Sequence, residues 1–315
     1  MPSEFGLIRR YFTRPSADGS VLLGVGDDAA LLAPPVGEVL AVTVDTLVAG
    51  RHFPLNTPPA AMAHKALAVN LSDLAAMGAT PRWFLLALTL PESSDVFLSE
   101  FSSALFALAD EAGITLVGGD TTRGPLAISI TAMGSVPAGR ALRRSGAMPG
   151  DGIYVSGTVG DAGLGLLQAL QPGHVSLSAS DTAFVRQRLD YPQPRLVLGL
   201  ALRGQVTACL DISDGLAQDL GHILDASGVG AELDLQALPL SPAVRALPER
   251  QAWQLALAAG DDYELCFTVP PGFSPQALPG IVPVTRIGTV TAAPGLVLTS
   301  RGVRVEHEFS GYQHF

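Results

Sequence analysis

Seven short acidic clusters punctuate the chain, and gathering their carboxylates constrains what it can fold into. They are Gly26-Asp27-Asp28, Thr43-Val44-Asp45-Thr46, Asn70-Leu71-Ser72-Asp73, Gly118-Gly119-Asp120-Thr121, Gly160-Asp161, Asp211-Ile212-Ser213-Asp214-Gly215 and Gly260-Asp261-Asp262. Nearly all read as the ends of β-strands or glycine turns. Carboxylates brought together without matching Lys or Arg repel one another, so such a fold needs multivalent cations. Mg2+ keeps several waters and bridges carboxylates to substrate phosphates, which makes phosphoryl transfer the leading expectation. Any single cluster also suits a turn or a helix N-cap with no chemistry. As a set they weigh more, because Asp outnumbers Glu by 19 to 10 and short acids make rigid ligands.

With 315 residues, 48% hydrophobic and only 15% charged, the chain can bury a large core, and its length suggests two domains. Residues 1–12 read as an amphipathic opening containing Arg9 and Arg10, unlike a signal peptide. No apolar run approaches the roughly 20 residues that span a bilayer. Cys209 and Cys266 lie in apolar, strand-like runs, which leaves no disulfide framework or Cys-based metal site. No membrane association and cytoplasmic residence are expected. A net charge of −10 argues against nucleic-acid binding. The single lysine, Lys65, lies far from any Gly-Lys-Ser/Thr sequence, so phosphate contacts must come from the 18 arginines. Arg51, Arg123, Arg143 and Arg144 stand nearest the acidic and glycine-rich segments.

Strand and helix signals alternate. Residues 39–45 read as a strand ending in an acid, 58–77 as a proline-opened helix, 83–90 as a strand and 94–112 as an amphipathic helix. A strand at 115–117 should run into Gly118-Gly119-Asp120, and 127–136 should form another. Pro, Gly, Arg and Ser then dominate residues 137–151, a domain connection. Strands at 153–156, 207–211, 231–235 and 264–269 follow, with helices at 162–170, 195–202, 216–226 and 253–258. The expectation is an α/β (α+β) chain in two domains, 1–137 and 138–315. Ser72-Asp73-Leu74-Ala75-Ala76 is loosely echoed by Ser213-Asp214-Gly215-Leu216-Ala217, a faint sign of related halves.

Other chemistries find little support. The six histidines show no zinc spacing, and no Gly-x-Ser-x-Gly elbow occurs. Gly157-Thr158-Val159-Gly160 looks like a nucleotide-binding turn, but the dinucleotide fingerprint is incomplete.

The clusters extend into longer motifs. Gly24-Val25-Gly26-Asp27-Asp28-Ala29-Ala30, Val44 through Phe53, Asn70 through Ala79 and Gly118-Gly119-Asp120-Thr121 resemble, in order, the motifs of the thiamine-monophosphate kinase family. So do Arg144-Ser145-Gly146, Asp211 through Leu216, Asp262-Tyr263-Glu264-Leu265 and Gly311-Tyr312-Gln313-His314-Phe315. The ordered set covers essentially the whole chain.

The resemblance implies the two-domain fold of the aminoimidazole-ribonucleotide synthetase superfamily. In that fold the N-terminal sheet pairs across a homodimer, a C-terminal α/β domain completes the ATP and substrate site, and no P-loop is needed. It further implies several Mg2+ ions held or bordered by Asp28, Thr43, Asp45, Asp73, Asp120, Asp211 and Asp214, with Val44 adding at most its carbonyl. Gly119, Asp120, Arg144 and Ser213 would contact ATP, and His52, Asp261 and Phe309 thiamine monophosphate. Asp45, Asp73, Asp120 and Arg144 would carry the catalysis. Two positions depart from the family pattern: Asp261, where Glu is common, and Phe309, where Trp can stand. A sister ATP-dependent activity and a non-catalytic cation-binding protein remain as alternatives, although selenophosphate synthesis normally needs a reactive residue near the N-terminus, and no Cys precedes 209. A salt bridge is the plain alternative for Arg144.

Overall fold

The structure, a computed structural model, describes residues 4–15, 18–275, 278 and 282–306. They pack as two units. The first holds residues up to Leu74 together with Ala79–Gly139, and the second holds Ala75–Gly78 and the residues from Arg140 onward.

In the first unit α1 (Glu4–Leu7) runs into a wider helical turn, Ile8–Phe12, and the short strands β1 (Val21–Leu23) and β2 (Leu31–Leu32) flank the first acidic loop. Then come β3 (Glu38–Val48), α2 (Pro59–Ala76), β4 (Thr80–Leu90), α3 (Asp95–Ala112), β5 (Thr115–Arg123) and β6 (Ala127–Pro137). The sheet order is β3-β6-β4-β5, with β6 antiparallel to both neighbours and β4 parallel to β5. A parallel pair needs a crossover, which α3 supplies. That helix is started by Ser94, whose side chain accepts the Phe97 N–H, and is closed by Gly113 in the left-handed region.

The expected elements of this unit are present, with three corrections. β3 does not end at Asp45 but continues through Val48, because its alternation persists: Ala41, Thr43, Asp45 and Leu47 share one face. Likewise β5 does not stop at Val117. Gly118, Gly119 and Asp120 lie inside it, opposite Leu85, Leu86 and Ala87 of β4. The second acidic and the glycine-rich clusters are therefore mid-strand features. Strand β4 also begins earlier than expected, at Thr80, and its register shift beyond Pro81 accommodates a residue that has no N–H for the ladder.

The second unit contains β7 (Gly152–Ser156), α4 (Asp161–Leu170), α5 (Ala179–Asp190), α6 (Leu196–Leu202), β8 (Ala208–Asp211), α7 (Leu216–Ser227) and β9 (Gly230–Asp234). After these come α8 (Pro242–Arg245), α9 (Glu249–Ala258), β10 (Leu265–Val269), β11 (Val284–Thr291), β12 (Gly295–Ser300) and β13 (Val303–Arg304). Its seven strands run in the order β13-β12-β9-β11-β7-β10-β8, antiparallel except for β9 beside β12. Alternation places Ile153, Val155 and Cys266 on one face, packed on α7 and α9 through Leu216, Leu220, Trp253 and Leu257. Tyr154, Leu265 and Phe267 fill the other face against Leu198 and Leu202 of α6. There Tyr154 and Phe267 stack at 5.9 Å, an aromatic pair worth about 1 kcal/mol beyond its buried area. The two cysteines are buried on opposite faces. Lys65 in α2 is 3% exposed. Among the described residues no helix is long and apolar enough to cross a membrane.

Candidate active site

The first unit brings three of the expected metal-binding residues together. Because β3 alternates, Thr43 and Asp45 face the same way, and the Thr43 hydroxyl donates to the Asp73 carboxylate on α2. Burial, with the nearby Asp73 carboxylate adding repulsion, pushes the Asp45 carboxyl up to about 6. One helical turn before Asp73, the Asn70 amide donates to the Ala66 carbonyl at 3.0 Å. That bond fixes the amide's orientation and leaves its buried Oδ1 without a hydrogen-bond partner. The two like-charged acids and the hydroxyl form an all-oxygen donor set that fits a hard divalent cation, and the orphaned Asn70 oxygen belongs to the helical turn before Asp73. Among the described residues no three His, Cys, Asp or Glu side chains gather closely enough to hold a metal, so the pair is not extended by Asp28 or Asp120. Asp28 lies exposed in the loop after β1, where its N–H donates to the Asp27 carboxylate at 2.8 Å. Val44 turns its side chain, 61% exposed, to the opposite face of β3.

Gly119 occupies a place only glycine can take. Its φ is +148°, and a Cβ there would stand 1.9 Å from the Leu86 carbonyl oxygen. Asp120, beside it, opens onto a hollow walled by Ile8, Phe12, Val25, Leu86 and Leu116. His52 closes the turn after β3. Its Nδ1 accepts the Val48 N–H at 2.9 Å, which in the neutral ring leaves the proton on Nε2.

In the second unit the Asp211–Gly215 loop is tied on two sides. The N–H groups of Ser213, Asp214 and Gly215 donate to Oδ2 of Asp219, at 2.9, 3.0 and 3.2 Å. The carbonyls of Ile212 and Ser213 accept from Tyr263 and Asp261, each at 2.8 Å. Expected site residues Ser213 and Asp261 are thereby brought side by side. Asp261 and Tyr263 have φ of 62° and 50°, a conformation that non-glycine residues rarely adopt, and the Tyr263 hydroxyl donates to Asp261 Oδ1 at 3.1 Å. Asp211 is nearly buried, while Asp214 is half-buried and accepts from Gln218 at 3.2 Å. Burial pushes Asp219 up to about 6, against the pull of the three N–H groups. Arg144 is exposed and makes no ion pair among the described residues. Phe309 and the terminal Gly311–Phe315 motif lie outside the described residues.

One expectation about charge is overturned. The acids around 160 and 262 do have basic partners, drawn from distant sequence. Glu264, wholly buried, accepts from Arg195 Nε at 2.6 Å, from Arg188 at 2.9 Å and from the Ser156 hydroxyl at 2.6 Å. Arg188 lies 3.7 Å from Asp161. Asp262 accepts from the Gly160 N–H at 2.7 Å and the Ala162 N–H at 3.4 Å, capping α4. The glycines of the 157–160 turn serve packing. A Cβ on Gly157 would lie 2.1 Å from Glu264, and one on Gly160 would lie 2.9 Å from the Ala256 backbone. No local signal announces this network, since its arginines stand some 70 residues from Glu264.

Comparison with known proteins covers both units. Residues 26–136 match the AIR synthase related protein, N-terminal domain, and residues 148–301 match the corresponding C-terminal domain. The thiamine-monophosphate kinase of Salmonella typhimurium is 50% identical over 319 residues, 99% of this chain and 98% of that protein. Among solved structures, thiamine-monophosphate kinase from Stenotrophomonas maltophilia K279a superposes with a TM-score of 0.84 at 48% identity, covering 91% of this chain and 92% of that one. AaThiL complexed with AMPPCP and TMP superposes with a TM-score of 0.76 at 32% identity, covering 90% and 89%.

Proposed function

Because the chain belongs to the thiamine-monophosphate kinase family of AIR synthase related proteins, we propose that it transfers the γ-phosphate of ATP to thiamine monophosphate. The products are thiamine diphosphate and ADP, in the last step of thiamine diphosphate biosynthesis. The observation that carries the reading is the group formed by Thr43, Asp45 and Asp73, two half-buried acids held beside a hydroxyl in an all-oxygen donor set.

Asp45 and Asp73, with Thr43 beside them, would hold one Mg2+ ion, and Asp28, Asp120, Asp211, Asp214 and the Val44 carbonyl would hold or border further ions. Mg2+, when bound, supplies the charge neutralisation that lets two polyanions approach. Gly119 and Asp120 contact ATP from β5, and the apolar hollow beside them suits the uncharged base. Ser213 and the exposed Arg144 contact the phosphates. His52 and Asp261 contact thiamine monophosphate, as does Phe309. An acceptor phosphate oxygen, already ionised, attacks the γ-phosphorus in line, and the bond from that phosphorus to the β,γ-bridging oxygen breaks. No general base is needed, in keeping with a site of acids and amides. Residues 1–137 act as the metal, ATP and dimerisation domain, and 138–315 as the domain that completes the site. The exposed apolar face of β3 supports a homodimer, and the biosynthetic role fits the cytoplasm.

The test is direct. Purified protein given ATP, Mg2+ and thiamine monophosphate should yield thiamine diphosphate by chromatography. Absence of product from folded protein that still binds ATP would overturn the assignment.

A further inference from the structure

Asp219 sits four residues into the span that begins at Gly215, on the first turn of α7, and is 4% exposed. One of its oxygens, Oδ2, receives the N–H groups of three successive residues, Ser213, Asp214 and Gly215. Successive N–H groups turned toward one point form a concave anion-binding nest, and here the positive end of a helix lies behind it. Phosphate-handling proteins commonly aim such a nest at their ligand. In this chain the nest is filled from within.

The rest of the segment leaves it little freedom. The carbonyls of Ile212 and Ser213 are taken by Tyr263 and Asp261. Gly215 has a φ of +119°, and a Cβ there would lie 2.8 Å from the Ala258 backbone. With amides turned to Asp219 and carbonyls turned to the 261–263 loop, what the segment can still offer a ligand is its side chains. We infer that Asp219 is a positioning residue, an internal anion that occupies the backbone nest so that the Ser213 hydroxyl and the Asp214 carboxylate face the nucleotide.

The inference rests on the reading of Ser213 as an ATP contact. It also gives a reason why this kinase handles polyphosphate without a phosphate loop: the amides that would form one already hold a carboxylate.

The full-length Asp219→Ala protein tests it, with a non-hydrolysable ATP analogue titrated by calorimetry in the presence of Mg2+. Affinity should fall about tenfold or more relative to wild type. Added formate, a small carboxylate that fits the vacated nest, should restore much of it, while chloride should not. In turnover the KM for ATP should rise with the KM for thiamine monophosphate held within about twofold. A folded Asp219→Ala protein that binds the analogue as wild type does, or that formate fails to rescue, would overturn the inference. If Asp219→Ala does not fold, Asp219→Asn decides, since it keeps the shape and removes the charge. Its KM for ATP should rise about threefold or more with the other KM unchanged, and no selective rise would count against the idea. Failure of the ATP reading itself would appear separately, as wild-type protein that binds no analogue.

Discussion

The backbone N–H of Asp261 donates to the carbonyl oxygen of Ser213 at 2.8 Å, so two acidic loops far apart in sequence are joined backbone to backbone. The contact is close on purpose-built geometry: a Cβ on Gly260 would come within 2.3 Å of the same oxygen. Left-handed φ at Asp261 and Tyr263 costs on the order of 1 kcal/mol each, strain that persists where surrounding structure over-determines it. Tyr263→Phe removes the hydroxyl that steadies the Asp261 carboxylate while keeping the ring. The KM for thiamine monophosphate should rise about threefold and the KM for ATP should not change. Steady-state kinetics with each substrate varied in turn would show it, and an equal change in both would argue against Asp261 as a substrate contact.

Asp45→Asn should lower turnover by at least about 100-fold, because a neutral amide is a poor ligand for the cation that screens the phosphates. The same change should raise the thermal midpoint in metal-free buffer, since it removes a charge that burial and Asp73 both disfavour. Product chromatography and melting in EDTA measure the two effects. A loss of activity accompanied by a lower midpoint would point to misfolding instead.

The second unit should show a pH dependence traceable to Asp262. Burial holds this carboxyl up to about 8, eased by Arg188 and the Gly160 N–H and reinforced by the like charge of Asp161. In the unfolded chain it titrates near its ordinary value of about 4. Its contribution to stability is therefore fully present below about pH 4 and is lost as pH rises toward about 8. Urea midpoints of wild type should fall between about pH 6 and about pH 8.5, and those of Asp262→Asn should fall less. Parallel declines would assign the effect to other groups.

On β3, Val42 and Val44 are 60% and 61% exposed on the face turned away from Asp45. An apolar strip at a sheet edge is a template for association. Light scattering should give a particle about twice 32.6 kDa, and Val42→Asp with Val44→Asp should return it to that single mass. A wild-type particle of 32.6 kDa at micromolar concentration would contradict the dimer.

Much of this was legible because local patterns governed it. An apolar run ending in an acid marked β3, and proline followed by an alanine-rich stretch marked α2, while the resemblance to the kinase family named Asp45 and Asp73 together before their elements were seen to meet. Gly118-Gly119-Asp120 misled because glycine usually weakens a strand. Here it lets the Leu86 carbonyl approach. Helix α5 was missed because it is polar nearly all round and buries chiefly Val185 and Leu189. The acids at 161 and 262 looked like the ligands at 45 and 73 because the charge network of Arg188, Arg195 and Glu264 arises only once the second sheet has formed.

The chain's one lysine is buried in α2. Its surface positive charge is accordingly carried by guanidinium groups, which stay protonated and react poorly with acylating reagents. Amine-directed dyes and cross-linkers should therefore find no accessible side chain among the described residues of the folded protein. A fluorophore could then be confined to the α-amino group without removing any residue, and Lys65 would become reactive only when α2 opens, making acylation of that single position a clock for local unfolding.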